Sequence, residues 1–365
     1  MQQRKLRVGI VYGGRSGEHE VSVASARSVM AAIDHTKYDV VPIAIDRQGQ
    51  WLSGVEPQQL MAPGDLPPQA SAHPANNVPL LRQITERVNQ GAGDVDIIFP
   101  LLHGTYGEDG ALQGMLEMAG LPYVGCGILG SALGMDKEKA KIFFASSALP
   151  VVPWITVTRR EVDDALDTTI AAISERFGFP VFVKPANLGS SVGVSKAHDA
   201  PELRSALTLA ARYDRKIVVE PAINCREIEC AVLGNDDPEA SVVGEIFPNN
   251  EFYDYKAKYL DGTSGLLIPA PLSAELALDV RRMAIAAFRA LDLSGLARVD
   301  FFLDRDTNAV YLNEVNTLPG FTEISMYAKL WEATGIDYTT LIDRLIEFGL
   351  ERHRERMRNE TNVAI

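Results

Sequence analysis

The chain has 365 residues, 46% hydrophobic and 23% charged, with a formal net charge of −13 and a pI near 5.0. That balance is the average of soluble globular proteins, and at roughly 150 residues per domain the length predicts two or three domains. The acidic charge argues against a nucleic-acid partner, no apolar run reaches the roughly 18 residues of a membrane span, and Cys126, Cys225 and Cys230 are too few and scattered for a disulfide framework or metal cluster.

The N-terminal "MQQRKLRVGIVYGGR" has a basic head, but its apolar stretch is short and ends in glycines and an arginine. It reads as a first β-strand and not as a signal peptide; a cytoplasmic protein with free thiols is expected. "LRVGIVYGG" is that strand, Val21, Ser25, Ser28, Val29 and Ala32 follow at helical spacing, and "VVPIAI" (residues 40–45) completes a βαβ unit. "DVDIIFPLLHG" (94–104) is a further buried strand and "LPYVG" (121–125) another, which together predict a parallel sheet covered on both faces. The Pro- and Ala-rich segment 56–79 reads as a surface insertion.

A domain boundary falls near Gly134. "MDKEKAKIFFASSALPVVPW" opens a helix that Pro150 and Pro153 stop, and "FPVFVKP" is a strand leading into the loop "KPANLGSSVGVSK" (184–196). "KIVVEPAI" and "EIECAVLG" are two more strands, and "GEI" begins a third. The polar, aperiodic stretch Phe247 to Gly265 is too long for a turn and reads as a functional loop. Residues 274–291 form an amphipathic helix, "LARVDFFLDRDTNAVYLNEVN" a hairpin, and "ERHRERMRNETNVAI" a solvated helix end with a frayed tail.

The hairpin carries the most chemistry. Arg298, Asp300 and Phe302 share one face of its first strand, and Leu312, Glu314 and Asn316 one face of its second. An odd turn such as Arg305–Asp306–Thr307 sets Arg298 and Asp300 beside Glu314 and Asn316; an even turn puts them on opposite faces. The odd register makes an oxygen-ligand set suited to Mg2+ with nucleotide phosphates, and the alternative is a hairpin whose charges simply face solvent. Lys137, Lys184 and the glycine-containing loop after Lys184 supply fixed positive charge and backbone N–H groups for phosphates, although such a stretch is by itself an ordinary loop. "YGGRSGEHEVS" departs from G-x-G-x-x-G and does not support a dinucleotide site. Its Glu18 and His19 either bind a small cationic group at a helix start or cap the helix. His103 stands where a parallel strand ends, either near a ligand or as a hydrogen-bonded structural residue. Ser190 has no identifiable His–Asp pair for a hydrolase triad.

Taken in order, "GGRSGEHEVS", "LHGTYGEDG", "MDKEKAK", "KPANLGSSVGVSK", "REIE", "FYDYKAKY", "RVDFFLD" and "LNEVNTLPGFTEIS" resemble the ATP-grasp enzymes, and specifically the D-alanine–D-alanine ligase family, from residue 9 to about 330. The resemblance implies an α/β chain (α+β in its ATP-binding part): a Rossmann-like N-terminal domain over 1–134, then a two-domain ATP-grasp fold, with a central phosphate-loop subdomain over 135–220 and a C-terminal subdomain over 221–365 carrying a lid loop and the metal hairpin. It also implies the reaction. ATP phosphorylates the carboxylate of one D-alanine, the amine of a second attacks the acyl phosphate, and D-alanyl-D-alanine is released for peptidoglycan precursors.

Residue by residue, the resemblance assigns Lys137, Lys184 and Ser191 to the ATP phosphates, with Phe252 and Lys258 also in the ATP site. Glu220, Ile223 and Glu227 match the adenine and ribose hinge, with Ile223 acting through its backbone. Asp300, Glu314 and Asn316 match ligands of two Mg2+ ions, Glu314 bridging them and Mn2+ an alternative. Arg298 and the backbone N–H of Gly320 match the groups that steady the tetrahedral oxyanion. Glu18 matches the residue that binds the first ammonium group, and Ser325 and Lys258 lie near the second carboxylate and the transferred phosphate; His103 falls among the substrate-binding positions. Tyr259 matches a lid residue tied to Ser190 and Glu18, retained in ligases that accept D-alanine. A homodimer is implied, with no nucleic-acid or membrane partner. Pro221 departs from the family by lacking an N–H in the hinge, which puts nucleotide selectivity in doubt. Two other readings differ in kind: an ATP-grasp carboxylate–amine ligase for another substrate, and a catalytically silent ATP-binding module, against which the full set Arg298, Asp300, Glu314 and Asn316 argues.

Overall fold

The computed structural model of the chain describes residues 4–53, 55, 57–60, 95–247 and 265–360. Three sheets organise them. The first contains β1 (Leu6–Gly13), β2 (Tyr38–Ile45), β3 (Trp51–Ser53) and β4 (Ile97–Pro100), in the order β3-β2-β1-β4. β1 is central and parallel to both β2 and β4. Val8, Ile10, Val11 and Tyr12 are all buried because both of its faces are covered, which is why the strand reads as a continuous apolar run. The helix His19–Ala32 packs one face through Val23, Ala26 and Val29. Gly13 makes the turn between them: its φ is +92°, and a Cβ there would stand 2.1 Å from the Ile45 carbonyl oxygen.

Two details differ from the sequence reading. β3 is an antiparallel edge strand, and Leu121–Gly125 contributes only a bridge, Ile98↔Tyr123, because its backbone bonds are limited to those around Ile98. Part of the 56–79 segment also has structure: residues Pro57–Leu60 form a short 3-10 turn beside the buried Val55, whose carbonyl accepts from the Tyr12 hydroxyl. The remainder of that segment lies outside the described residues.

The second sheet is antiparallel throughout: β5 (Ile155–Thr158), β6 (Val181–Pro185), β7 (Ser195–Ala197) and β8 (Lys216–Pro221), in the order β5-β8-β6-β7. Ile170, Ile173, Leu203 and Leu207, from the helices Leu166–Phe177 and Ala200–Tyr213, pack on Val181, Val183, Ile217 and Val219. Asp199 caps the second of these helices by accepting from the Glu202 N–H at 2.8 Å, with Pro201 in the first turn. Pro221 is tolerated in a central strand because it is the strand's last residue.

The third sheet is β11-β10-β9-β12-β13, also antiparallel: β9 (Cys225–Gly234), β10 (Glu239–Phe247), β11 (Gly265–Leu267), β12 (Gly295–Asp304) and β13 (Val310–Asn316). The helix Ala274–Ala290 covers one face through Val280, Ala284, Ala287 and Phe288. The helices Met326–Thr334 and Tyr338–Arg356 cover the other face and also reach the first sheet, so that Trp331, Leu345, Val8 and Leu233 belong to one core. The C-terminal helix is thus more than a solvated end: Arg352 lies over the Tyr123 ring at 4.0 Å and donates to the Tyr123 carbonyl. Phe247 pairs with Gly265, so the ends of the long polar loop are adjacent; residues 248–264, with the expected lid and its Phe252, Lys258 and Tyr259, lie outside the described residues.

Candidate active site

A cleft of about 1490 Å³ opens where the three sheets meet. Every sequence-predicted site residue among the described ones lines it, drawn from segments far apart in the chain.

One wall comes from the β12–β13 hairpin. Asp300 pairs with Glu314 and Arg298 with Asn316, so the ligand set does share a face. The reason differs from the expectation. Near its end the hairpin is in even register, with the Asp304 N–H bonded to the Ala309 carbonyl around residues 305–308, and Phe301 faces Leu312. A β-bulge between Phe301 and Asp300 then inserts Asn313 on β13 and reverses the parity. Leu312 consequently turns into the core instead of sharing the face of Glu314 and Asn316. Asn313 accepts from the Lys184 ammonium at 3.3 Å.

Arg298 is clamped from two sides. Its Nε and a terminal nitrogen donate to the two Asp300 oxygens, both at 2.8 Å, and its Nε also lies 2.8 Å from Glu229 Oε2 on β9. The Asn316 amide donates to Asp300 at 2.8 Å. Two carboxylates and one carboxamide therefore sit together, a hard-oxygen set that fits Mg2+ when phosphates and water complete an octahedron. Among the described residues no three His, Cys, Asp or Glu side chains converge as a metal group, which accords with an ion held partly by a nucleotide.

The facing wall carries the lysines. Asp136 accepts from the Lys139 N–H at 3.0 Å and so caps the helix Lys137–Ser146. Lys137 then projects to the Leu188 carbonyl at 2.8 Å and to Glu314 at 3.4 Å. Lys184 on β6 is 2.7 Å from Glu220 on β8, whose other oxygen is 2.8 Å from Lys141. Burial works against the Glu220 carboxylate, yet Lys184 and then Lys141 outweigh it and hold its pKa down at about 2. Burial likewise opposes a charged Lys184, but Glu220 above all keeps it raised. Both side-chain oxygens of Glu220 are engaged by lysines, so its hinge role is confined to its backbone. Ile223 and Glu227 line the same end of the cleft.

The third wall belongs to the first sheet. Glu18 precedes the helix His19–Ala32 but makes no side-chain cap; its carboxylate accepts from the Ser190 hydroxyl instead. The capping alternative is therefore not realised. Ser190 and Ser191 have φ of +52° and +56°, a region costly for non-glycine residues and typical of functional loops. His103 takes the structural alternative. It is buried, its Nδ1 donates to the Leu318 carbonyl at 2.9 Å, and its Nε2 accepts from Ser25 at 3.0 Å, while burial lowers its pKa. Ser25 also accepts from the Phe321 N–H at 3.2 Å, so this network positions the loop that holds Gly320. Ser325, at the start of the helix Met326–Thr334, accepts from the Thr322 N–H at 3.0 Å.

Sequence reasoning missed three residues of this site. Lys141 was one lysine among three on a helix, and Glu229 one alternate position of an apolar strand. Glu108 lies in the quoted "GEDG" without an assigned role. It accepts from the Gly104 N–H at 2.6 Å and the Leu318 N–H at 3.1 Å, and burial, with the Glu18 charge, raises its pKa well above the carboxylate range.

Comparison with known proteins agrees along the whole chain. A family model described as D-ala D-ala ligase N-terminus matches residues 7–126, and one described as D-ala D-ala ligase C-terminus matches residues 143–347. A D-alanine--D-alanine ligase of Heliobacterium modesticaldum is 51% identical over 359 residues, covering 98% of each chain. That of Acetivibrio thermocellus is 49% identical over 369 residues, covering 97% of this chain and 98% of the relative. Among solved structures, the D-alanine-D-alanine ligase from Coxiella burnetii superposes with a TM-score of 0.78 at 36% identity, covering 97% of this chain and 98% of its own. The VanG D-Ala:D-Ser ligase from Enterococcus faecalis superposes with 0.79 at 33%, covering 95% and 100%.

Proposed function

The chain belongs to the D-alanine–D-alanine ligase family, and we propose that its cleft joins two D-alanines at the expense of ATP, with the residues described above in the following roles. The fold is that of the ATP-grasp ligases, and the product serves peptidoglycan precursor synthesis. No helix among the described residues is long and apolar enough to cross a membrane; a cytoplasmic enzyme acting as a homodimer fits that role. The domain partition at about residues 134 and 220 follows the three sheets.

Phosphorylating a carboxylate brings several negative charges together, and the lysine wall answers that problem. Lys137 and Lys184 take the phosphates, and the backbone of Ser191 and its neighbours lies against them. Asp300, Glu314 and Asn316 would hold Mg2+, which when bound supplies charge screening between the nucleotide and the acceptor carboxylate. Glu18 receives the ammonium group of the first D-alanine. Arg298, its plane fixed by Asp300 and Glu229, and the Gly320 N–H face the oxygen that becomes negative when the second amine attacks the acyl phosphate; such preorganised donors contribute several kcal/mol to acyl transfer. Ser325 orients the second carboxylate. His103 acts by holding the 318–321 segment and not by touching substrate. Lys258 and Tyr259 complete the site from the lid, and Ile223, through its backbone N–H, binds adenine despite Pro221.

The observation that carries this reading is the contact between Lys137 and Glu314, 3.4 Å apart. A phosphate-binding cation and a metal-binding carboxylate, from two different sheets, meet at one point of the cleft. The decisive assay follows phosphate release from ATP and Mg2+ with D-alanine, L-alanine or D-serine, and identifies the product by mass. One phosphate per D-alanyl-D-alanine is expected with D-alanine alone. Absence of stimulation by D-alanine sinks the reading, and a faster mixed product with D-serine would reassign the second substrate.

A further inference from the structure

Lys141 is absent from the cleft lining, yet it is the most deeply buried charge in the lysine wall. Its side chain is 2% exposed. It lies on the helix Lys137–Ser146, one turn beyond Lys137, and is enclosed by the Val152 carbonyl at 3.3 Å and the Trp154 ring at 5.8 Å. Its ammonium is 2.8 Å from Glu220 Oε1, while Lys184 is 2.7 Å from Glu220 Oε2. The three groups form a row, Lys141–Glu220–Lys184, of which only Lys184 and the rim of Glu220 reach the cleft.

Counting charge along the row gives the function. Glu220 and Lys184 alone are a neutral pair, in which the ammonium offered to a phosphate is cancelled by the carboxylate behind it. Lys141 restores one net positive charge, and it does so in a water-poor setting where charges act over longer range than in solvent. Burying a second lysine is costly, so packing does not account for its presence. A methionine would fill the same space.

From this row we infer that Lys141 is a positioning residue for ATP: by holding and neutralising Glu220 from behind, it leaves Lys184 with an uncompensated charge aimed at the phosphates. The inference rests on the ATP reading of the cleft. The burial that opposes Lys141's charge, and lowers its pKa, is offset in part by Glu220.

The test measures binding of ATP with Mg2+, and of adenosine, to the full-length parent and variants by calorimetry. Lys141→Met is expected to weaken ATP about tenfold while adenosine changes less than about twofold and KM for D-alanine stays put. Lys141→Arg keeps the charge and is expected to stay within about threefold of the parent. The double variant Lys141→Met with Glu220→Gln returns the row to one net positive charge, and its preference for ATP over adenosine is expected to return to within about threefold of the parent. If Lys141→Met does not fold, the double variant against the parent still decides. Parallel loss of ATP and adenosine, or a double variant lacking the ATP preference, overturns the inference alone. Failure of the parent to bind ATP overturns the reading of the cleft along with it.

Discussion

The Ser190 hydroxyl donates to the Glu18 carboxylate across a sequence separation of 172 residues. The bond joins the loop after β6 to the start of the first helix, so the segment proposed to cradle phosphates and the group proposed to receive the first ammonium are one unit. Neither residue is at rest in a regular element. Ser190 has a φ of +52°, and Glu18 forgoes the cap that its position offers. Both depart from local preference in favour of the same contact, the pattern expected at a functional junction.

Two substitutions at Ser190 separate the hydroxyl from the backbone strain. Ser190→Ala removes the donor and keeps a Cβ at positive φ; Ser190→Gly removes both. Both are expected to lower kcat/KM for D-alanine roughly tenfold, the value of a partly exposed hydrogen bond to a charge. Ser190→Gly is expected to be the more stable of the two by about 1 kcal/mol in denaturant unfolding. Parent-like kinetics in Ser190→Ala would detach the hydroxyl from catalysis.

Asp300 is held by Arg298 at 2.8 Å through both oxygens and by Asn316 at 2.8 Å. Asp300→Asn removes one of two carboxylates from the proposed Mg2+ set but leaves Glu229 on the arginine. Phosphate release across a Mg2+ series is expected to fall about 100-fold or more, with stability within about 1 kcal/mol of the parent. Near-normal turnover at ordinary Mg2+ would remove Asp300 from the metal site.

Much of this site was legible because its chemistry is carried by short runs. Lys184 with its glycine-containing loop, and the alternation of Arg298, Asp300 and Phe302, can be read without tertiary knowledge. What could not be read depends on contacts between runs. Hairpin parity is the clearest case: the turn around 305–308 is even, and only the bulge at Asn313 restores the shared face. A bulge of this kind depends on backbone pairing and carries no mandatory residue type. Lys141 has the same character, since nothing in "KEKAKIFF" tells a buried lysine from a solvated one. Strand β10 was seen only from "GEI" onward because its first half, Glu239 to Val243, contains a register shift that hides the alternation.

The lysine pairing of Glu220 also predicts a pH signature. Its carboxyl is held down at about 2, although burial alone would raise it, because Lys184 and Lys141 dominate. A carboxylate depressed in the folded state contributes stability that is present above its ordinary pKa and lost as pH falls through the folded value. The parent is therefore expected to lose on the order of 3 kcal/mol of this contribution between about pH 4.5 and pH 2. Glu220→Gln should be less stable at neutral pH, with a shallower acid decline over that window. Glu108, raised by burial and by Glu18, titrates in both proteins and cancels in the comparison. Denaturant unfolding at stepped pH supplies the test, and parallel acid limbs would show that Glu220 is not held by the lysines.

Gly104 tests the third wall most directly. Its φ is +77°, and a Cβ would stand 2.4 Å from Glu18 Oε2. Its N–H also donates to Glu108 at 2.6 Å. In Gly104→Ala the backbone strain costs about 1–2 kcal/mol. The clash is relieved by moving the Glu18 carboxylate, since a side-chain oxygen yields before backbone does. The displaced oxygen belongs to the group that accepts from Ser190, so the substitution should disturb D-alanine far more than the fold. A rise in KM for D-alanine of tenfold or more is expected, with ATP binding in the absence of D-alanine little changed, because Lys137 and Lys184 stand on other walls. Equal losses for both ligands would mean that the loop at Gly104 had collapsed, and an unchanged KM for D-alanine would mean that Glu18 does not receive the first substrate.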